Sequence, residues 1–142
     1  MPRLRVLARV VVGGTFAAAG LMKLLEPSQN FQWVLEQFTW IPPAAVAPLA
    51  GSIPWIEWVV GGWLLVGWLP RLAAAVLGLL SLSFIVALSA PVWAGQGMAA
   101  CGCFGARAAI SINQMYALDW VMVILAGLLL TRSARPRAPE HA

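Results

Sequence analysis

The chain has 142 residues, 61% of them hydrophobic and only 10% charged, with a net charge of +4. Soluble domains average about 45–50% apolar and about 25% charged residues, so an ordinary soluble domain is excluded and a membrane domain is indicated. The basic balance does not point to nucleic acid, because most of the arginines fall at helix ends on one side, where membrane topology accounts for them.

Four stretches are apolar for about twenty residues, enough to cross the hydrocarbon core of a bilayer: 6–25, 45–68, 72–94 and 112–131. Irregular backbone cannot face lipid, so each crossing is expected to be a helix. The fold class is therefore all-α, a four-helix transmembrane bundle over 1–132 with a disordered cytoplasmic tail at 133–142. That tail is rich in Arg, Pro and Ala and shows no apolar periodicity. Its histidine, His141, is read as a solvated residue rather than a ligand.

A cleaved signal peptide competes for the first stretch, since residues 1–5 are basic and Ala17, Ala18 and Ala19 suit a small-residue cleavage site. Arg9 interrupts the apolar core that such a signal needs, and Lys23 and Glu26 close the stretch as they would a spanning helix. The segment is read as a retained first helix. The connection after it places Phe31, Val34, Leu35 and Phe38 on one helical face, with Gln32, Glu36 and Gln37 largely opposite. This predicts a short interfacial helix in the first outer loop, covering the mouth of the bundle or serving as a lid, ended by Pro42 and Pro43.

Arg3, Arg5 and Arg9 precede or begin the first crossing, Arg71 marks the turn between the second and third, and Arg132, Arg135 and Arg137 follow the fourth. The opposite side has Lys23 and Arg107. The positive-inside rule then predicts a multi-pass protein with both termini cytoplasmic, the connections 26–44 and 95–111 lying outside. The second of these ends at Ser111-Ile-Asn-Gln114, the form of a capping box that would start the last helix. Trp40, Trp68 and Trp93 fall near helix ends, as aromatic belts do. Trp55, Trp58 and Trp63 are read as bundle packing or lipid-facing bulk.

Both cysteines of the chain lie in Cys101-Gly102-Cys103-Phe104-Gly105. One intervening residue brings the α-carbons within bridging range, and Gly102 permits the backbone that so small a ring demands. Ring size alone predicts a strained bond, of the labile or catalytic kind when exposed, and so short a loop adds little to stability. Gly105 adds a flexible point that would leave a sulfur accessible to another protein's thiol. Inert thiols and a static disulfide are the alternatives. No metal is expected, since a structural zinc needs four ligands and no histidine or further cysteine lies nearby.

Three ionisable residues fall within the crossings: Lys23 near the outer end of the first, Glu57 after Pro54 in the second, and Asp119 in the fourth. Such groups are costly in a bilayer and usually pair or face the bundle interior. Lys23 is expected to pair with Glu57, either to support thiol chemistry or only to fix helix packing. Pro54 would kink its helix near Glu57.

Phe-Ala-Ala-Ala-Gly-Leu-Met-Lys-Leu-Leu-Glu-Pro at 16–27, Pro54-Trp-Ile-Glu57 followed by Gly61 and Gly62, and Cys-Gly-Cys-Phe-Gly at 101–105 together resemble the methylamine-utilisation MauE proteins, within the wider DoxX-like membrane group. The resemblance covers all four helices, and the cysteine motif is its most specific part. It implies a protein of the bacterial inner membrane that assists maturation of the disulfide-rich small subunit of methylamine dehydrogenase, beside a thioredoxin-like periplasmic partner. It also implies that Cys101 and Cys103 are the redox pair, framed by Gly102, Phe104 and Gly105. Lys23 and Glu57 become motif positions of unassigned role.

Three functions follow as expectations. The first is a thiol–disulfide relay through Cys101 and Cys103. The second is a non-catalytic assembly factor or small transporter whose Lys23, Glu57 and Asp119 line a polar path. The third is a DoxX-like quinone-linked oxidoreductase, because two cysteines alone pass electrons onward only to a partner or a bound quinone. No other cofactor is evident, as no nucleotide-binding or haem-attachment motif is visible.

Overall fold

The computed structural model describes residues 2–97, 101–105 and 108–131. These form helices α1 (Pro2–Leu24), α2 (Ser28–Glu36), α3 (Pro43–Val66), α4 (Pro70–Trp93) and α5 (Ile112–Leu130). Helices α1, α3, α4 and α5 are each long and apolar enough to span a membrane, with mean hydropathies between 1.4 and 2.4. They alternate in direction, α1 packing along α3 and α4 along α5, and the pairs close through α1 with α5 and α3 with α4. The all-α four-helix bundle is thus observed. The tail expected to be disordered, with Arg132, Arg135 and Arg137, and the loop residue Arg107 lie outside the described residues.

Local chemistry sets helix ends that differ from the limits of the apolar stretches. Helix α1 begins at Pro2 rather than 6, and Arg5 Nη2 donates to the Thr131 carbonyl at 2.6 Å, placing a cation at the C-terminus of α5 where the helix dipole favours it. Helix α3 stops at Val66 rather than 68, because Gly67 turns to φ 84° and the Trp68 N–H reaches back to the Trp63 carbonyl at 3.0 Å, a Schellman-type close. Pro70 supplies a preset first helical residue, so α4 begins there rather than at 72. Arg9 lies over the same turn: a Cβ on Gly67 would fall 2.7 Å from Arg9 Nη1. Helix α3 itself runs through Pro48 and Pro54 as one assigned helix.

Helices α1 and α3 meet backbone to backbone. A Cβ added to Gly61 would lie 2.6 Å from the Ala17 nitrogen, and one on Gly13 would lie 2.9 Å from the Gly61 carbonyl oxygen. A Cβ on Gly20 would lie 2.5 Å from the Trp58 nitrogen and 2.6 Å from the Pro54 oxygen. Lipid is as apolar as the side chains, so close packing of small residues takes the place of hydrophobic drive between membrane helices. Val12, Phe16, Leu64, Ala73, Leu77 and Met122 fill the bundle centre. Trp55 and Trp58 are 54% and 41% exposed on its outer surface, which selects the lipid-facing reading of these residues.

Helix α2 lays Phe31, Val34 and Leu35 onto Val46 and Ala50 at the start of α3, leaving Trp33 and Glu36 outward. This is the amphipathic face that the sequence predicts. It covers the end of the bundle that carries the cysteine loop.

If the α1–α3 contact holds the bundle together, Gly61→Ala should cost about 1–3 kcal/mol, the usual penalty for overpacking. Gly62→Ala, whose Cβ would meet nothing within 4 Å, should be neutral. Thermal unfolding of the two variants in detergent micelles checks the contrast.

Candidate functional site

The close approach at Gly20 sits one helical turn before Lys23 and carries the lysine to Glu57. Lys23 Nζ donates to Glu57 Oε1 at 2.8 Å and to Oε2 at 2.7 Å, and the residues are 5% and 1% exposed. Phe31 of α2 and Phe84 of α4 face the ammonium with ring centroids at 4.7 and 5.5 Å, in the range where an aromatic face attracts a cation. The expected pairing is observed. Its partners come from four helices rather than two.

Asp119, two turns into α5, is 1% exposed, and its two oxygens have no hydrogen-bond partner among the described residues. Ser81 of α4 stands beside it, and its hydroxyl is likewise buried without a partner at hydrogen-bonding distance. The other serines of α4 behave differently: Ser83 and Ser89 turn their hydroxyls back onto Leu79 and Val86 carbonyls at 3.0 and 2.7 Å. Asp119 and Glu57 share a small cavity of about 10 Å³ that Cys103 and Phe104 also line. A space of that order holds about one water.

Cys101 and Cys103 are joined by a disulfide, their α-carbons 5.2 Å apart. Gly102 and Gly105 both take left-handed backbone, at φ 68° and 88°, which side-chain-bearing residues adopt rarely. The turn closes through the Gly105 N–H to the Gly102 carbonyl at 3.0 Å, and the Cys101 N–H donates to the Ile110 carbonyl at 2.9 Å. Beyond it the predicted capping box is present, Gln114 N–H to Ser111 Oγ at 3.3 Å and Ser111 N–H to Gln114 Oε1 at 3.0 Å.

The expectation of an exposed bridge is corrected. Cys101 and Cys103 are only 7% and 6% exposed, packed with Leu88 and Met115. Helix α2 covers them: a Cβ on Gly102 would fall 2.7 Å from Val34 Cγ2, and one on Gly105 would fall 2.9 Å from Glu26 Oε1. The apolar face of α2 is wide enough to seal α3 and the loop together. Two cavities flank this cover. One, of about 520 Å³, is bounded by Lys23, Glu26, Phe31, Cys101 and Gly105. The other, of about 430 Å³, is bounded by Trp33, Phe38, Trp40, Leu88 and Cys101.

The sequence matches the family described as methylamine utilisation protein MauE over residues 1–132. The chain belongs to the MauE family. It is also 31% identical over 135 residues to the methylamine utilization protein MauE of Methylophilus methylotrophus, a match covering 95% of this chain and 70% of that relative. No solved structure matches the chain. With four helices of spanning length and apolarity, this MauE-family chain is a multi-pass membrane protein linked to methylamine utilisation.

Sequence reasoning named Lys23, Glu57, Asp119 and all five residues of the cysteine motif, which the structure gathers at one end of the bundle. It missed Ser81, Phe84 and the role of Gly20. A serine in an apolar helix usually bonds its own backbone, so nothing in the sequence separates Ser81 from Ser83.

Removing one partner of a buried ion pair strands the other, so Lys23→Met or Glu57→Gln alone should cost about 3–5 kcal/mol. The double variant should recover much of that loss. A double-mutant cycle on unfolding in micelles reads the coupling. Val34→Gly, which uncovers the loop, should speed reduction of the disulfide by a membrane-impermeant phosphine, measured by alkylation and gel shift.

Proposed function

We propose that this MauE-family protein carries out thiol–disulfide exchange through Cys101 and Cys103 during maturation of a periplasmic enzyme, with methylamine dehydrogenase as the substrate that the family's role in methylamine utilisation points to. The observation that carries the reading is the disulfide across a single glycine, in a loop walled by cavities at one end of a membrane bundle. A thioredoxin-like periplasmic protein is the proposed partner, since exchange between disulfides proceeds through a mixed disulfide with an attacking thiolate. The basic residues Arg3, Arg5, Arg9 and Arg71 support an inner-membrane topology with both termini cytoplasmic and the cysteine loop periplasmic.

A quinone would supply a two-electron oxidant for re-forming the disulfide. The cavity beside Trp33, Phe38, Trp40 and Leu88 has walls suited to such a ring, borders Cys101, and offers Gln37 and Gln96 as polar groups. Quinone retained on purification would support this extension. A second reading, a non-catalytic assembly factor or small transporter, draws on Asp119, a buried carboxyl group without a hydrogen-bond partner among the described residues. Polar groups at such positions often mark ion or proton paths.

Replacing both cysteines by serine should abolish production of active methylamine dehydrogenase while the protein still inserts. Retained activity in that variant, with loss in Glu57→Gln, would move the assignment to the second reading. A membrane-impermeant maleimide should label the cysteines in intact spheroplasts only after reduction. Labelling confined to inverted vesicles would reverse the topology.

A further inference from the structure

The two sulfurs of the bridge face different surroundings. Cys101 borders both large cavities, of about 520 and 430 Å³. Cys103 borders neither, and lines instead the small space of about 10 Å³ shared with Glu57 and Asp119. Thiol–disulfide exchange needs two different things from its two sulfurs: one must be reached in line by an incoming thiolate, and the other must leave with the electron pair. Only Cys101 stands where a thiolate can arrive. Cys103 shares its space with the buried carboxyl groups of Glu57 and Asp119, whereas the carboxyl group on the Cys101 side is Glu26, at the edge of the larger cavity.

One lysine serves two carboxyl groups in this cluster. Lys23 is engaged by both oxygens of Glu57, whereas Asp119 has, among the described residues, no partner at hydrogen-bonding distance on either oxygen. Asp119 is thus the member able to hold or release a proton without breaking the ion pair. The space between Asp119 and Cys103 is of the size that admits about one water, which could carry that proton. Cys103 Sγ also lies 3.7 Å from the Cys101 carbonyl oxygen, which is placed to accept a hydrogen bond from the Cys103 thiol once the bridge is open.

We infer that Cys101 is the sulfur that bonds to the partner, that Cys103 is the leaving sulfur, and that Asp119 exchanges a proton with Cys103 through the cavity they share. This rests on the exchange reading proposed above and assigns its parts. A partner thiolate attacks Cys101 Sγ, a partner–Cys101 disulfide forms, and the Cys101–Cys103 bond breaks with its electron pair on Cys103. The Cys103 thiolate takes a proton from the Asp119 carboxyl, leaving a carboxylate. A second thiolate of the partner then attacks the partner's own sulfur in the mixed disulfide and expels Cys101. The partner dithiol is oxidised to a disulfide, and the Cys101–Cys103 bridge is reduced to a Cys103 thiol and a Cys101 thiolate, which takes its proton from solvent. The reverse reaction runs through the same atoms, with Asp119 accepting the Cys103 proton as the bridge re-forms.

The test uses the full chain in detergent micelles, with dithiobis-nitrobenzoate as the disulfide probe. The Cys101 thiol of Cys103→Ser should react about tenfold faster or more than the Cys103 thiol of Cys101→Ser, since access governs thiol reactivity at comparable acidity. The corresponding alanine variants, Cys103→Ala and Cys101→Ala, guard against a folding defect peculiar to serine. With both cysteines present, Asp119→Asn should slow reduction of the bridge by dithiothreitol about a hundredfold, the low end of general acid catalysis, and Asp119→Glu should restore the rate. A Cys103 thiol that reacts as fast as or faster than Cys101 would overturn the assignment while leaving exchange intact. An Asp119→Asn rate equal to wild type would overturn the proton role. If neither thiol reacts and the intact bridge resists dithiothreitol, the exchange reading itself fails and this inference with it.

Discussion

An ammonium and a carboxylate withdrawn from water stabilise each other only if their helices come close enough for direct contact, and here Gly20 sets that distance. Its missing side chain lets α1 approach the Trp58 and Pro54 backbone of α3, and one turn later Lys23 meets Glu57. The penalty for burying two charges is large, and it is offset only when geometry and further contacts are good. Both oxygens of Glu57 are engaged, and Phe31 and Phe84 face the cation. The end of the bundle is organised around this pair: α2 is drawn over it through Phe31, and α4 contributes Phe84 from the other side.

The parts of this fold that are legible in the sequence are those governed by short-range rules. Spanning length and apolarity mark α1, α3, α4 and α5, the alternation of Phe31, Val34 and Leu35 against Gln32 and Glu36 marks α2, and Ser111 with Gln114 marks the start of α5. Helix ends shift by a few residues because their causes are local but not hydropathic: Gly67 in left-handed backbone, Pro70 at a first turn, Arg5 reaching the carbonyl of Thr131. Lys23 and Glu57 could be paired in advance because charge in a membrane leaves few options.

What the sequence does not show is which neutral residue faces which. Ser81 and Ser83 lie on the same apolar helix, yet one is fully buried beside Asp119 while the other bonds its own backbone at the surface. Hydropathy cannot separate them, since α4 is apolar all round and has no polar face from which to infer direction. The burial of the disulfide was hidden for a related reason. A Gly-rich loop reads as exposed, and only the placement of α2 shows that Gly102 and Gly105 are needed for close approach to Val34 and Glu26 as well as for left-handed backbone.

Helix α2 therefore touches both halves of the site. Val34 lies on Gly102 within the disulfide ring, and Phe31, nearly one turn earlier on the same helix, lies over the ammonium of Lys23. Val34 and Phe31 lie on one nine-residue helix, so any displacement of that helix that uncovers Cys101 would also lift an aromatic ring from the ion pair and admit water toward Glu57. Hydration lowers the cost of charge near the cluster, which the proposed exchange would need when it places a negative charge on a sulfur. Access to the disulfide and the polarity beneath it are thus tied through one short helix. The same contacts that keep the bridge covered keep the buried charges dry.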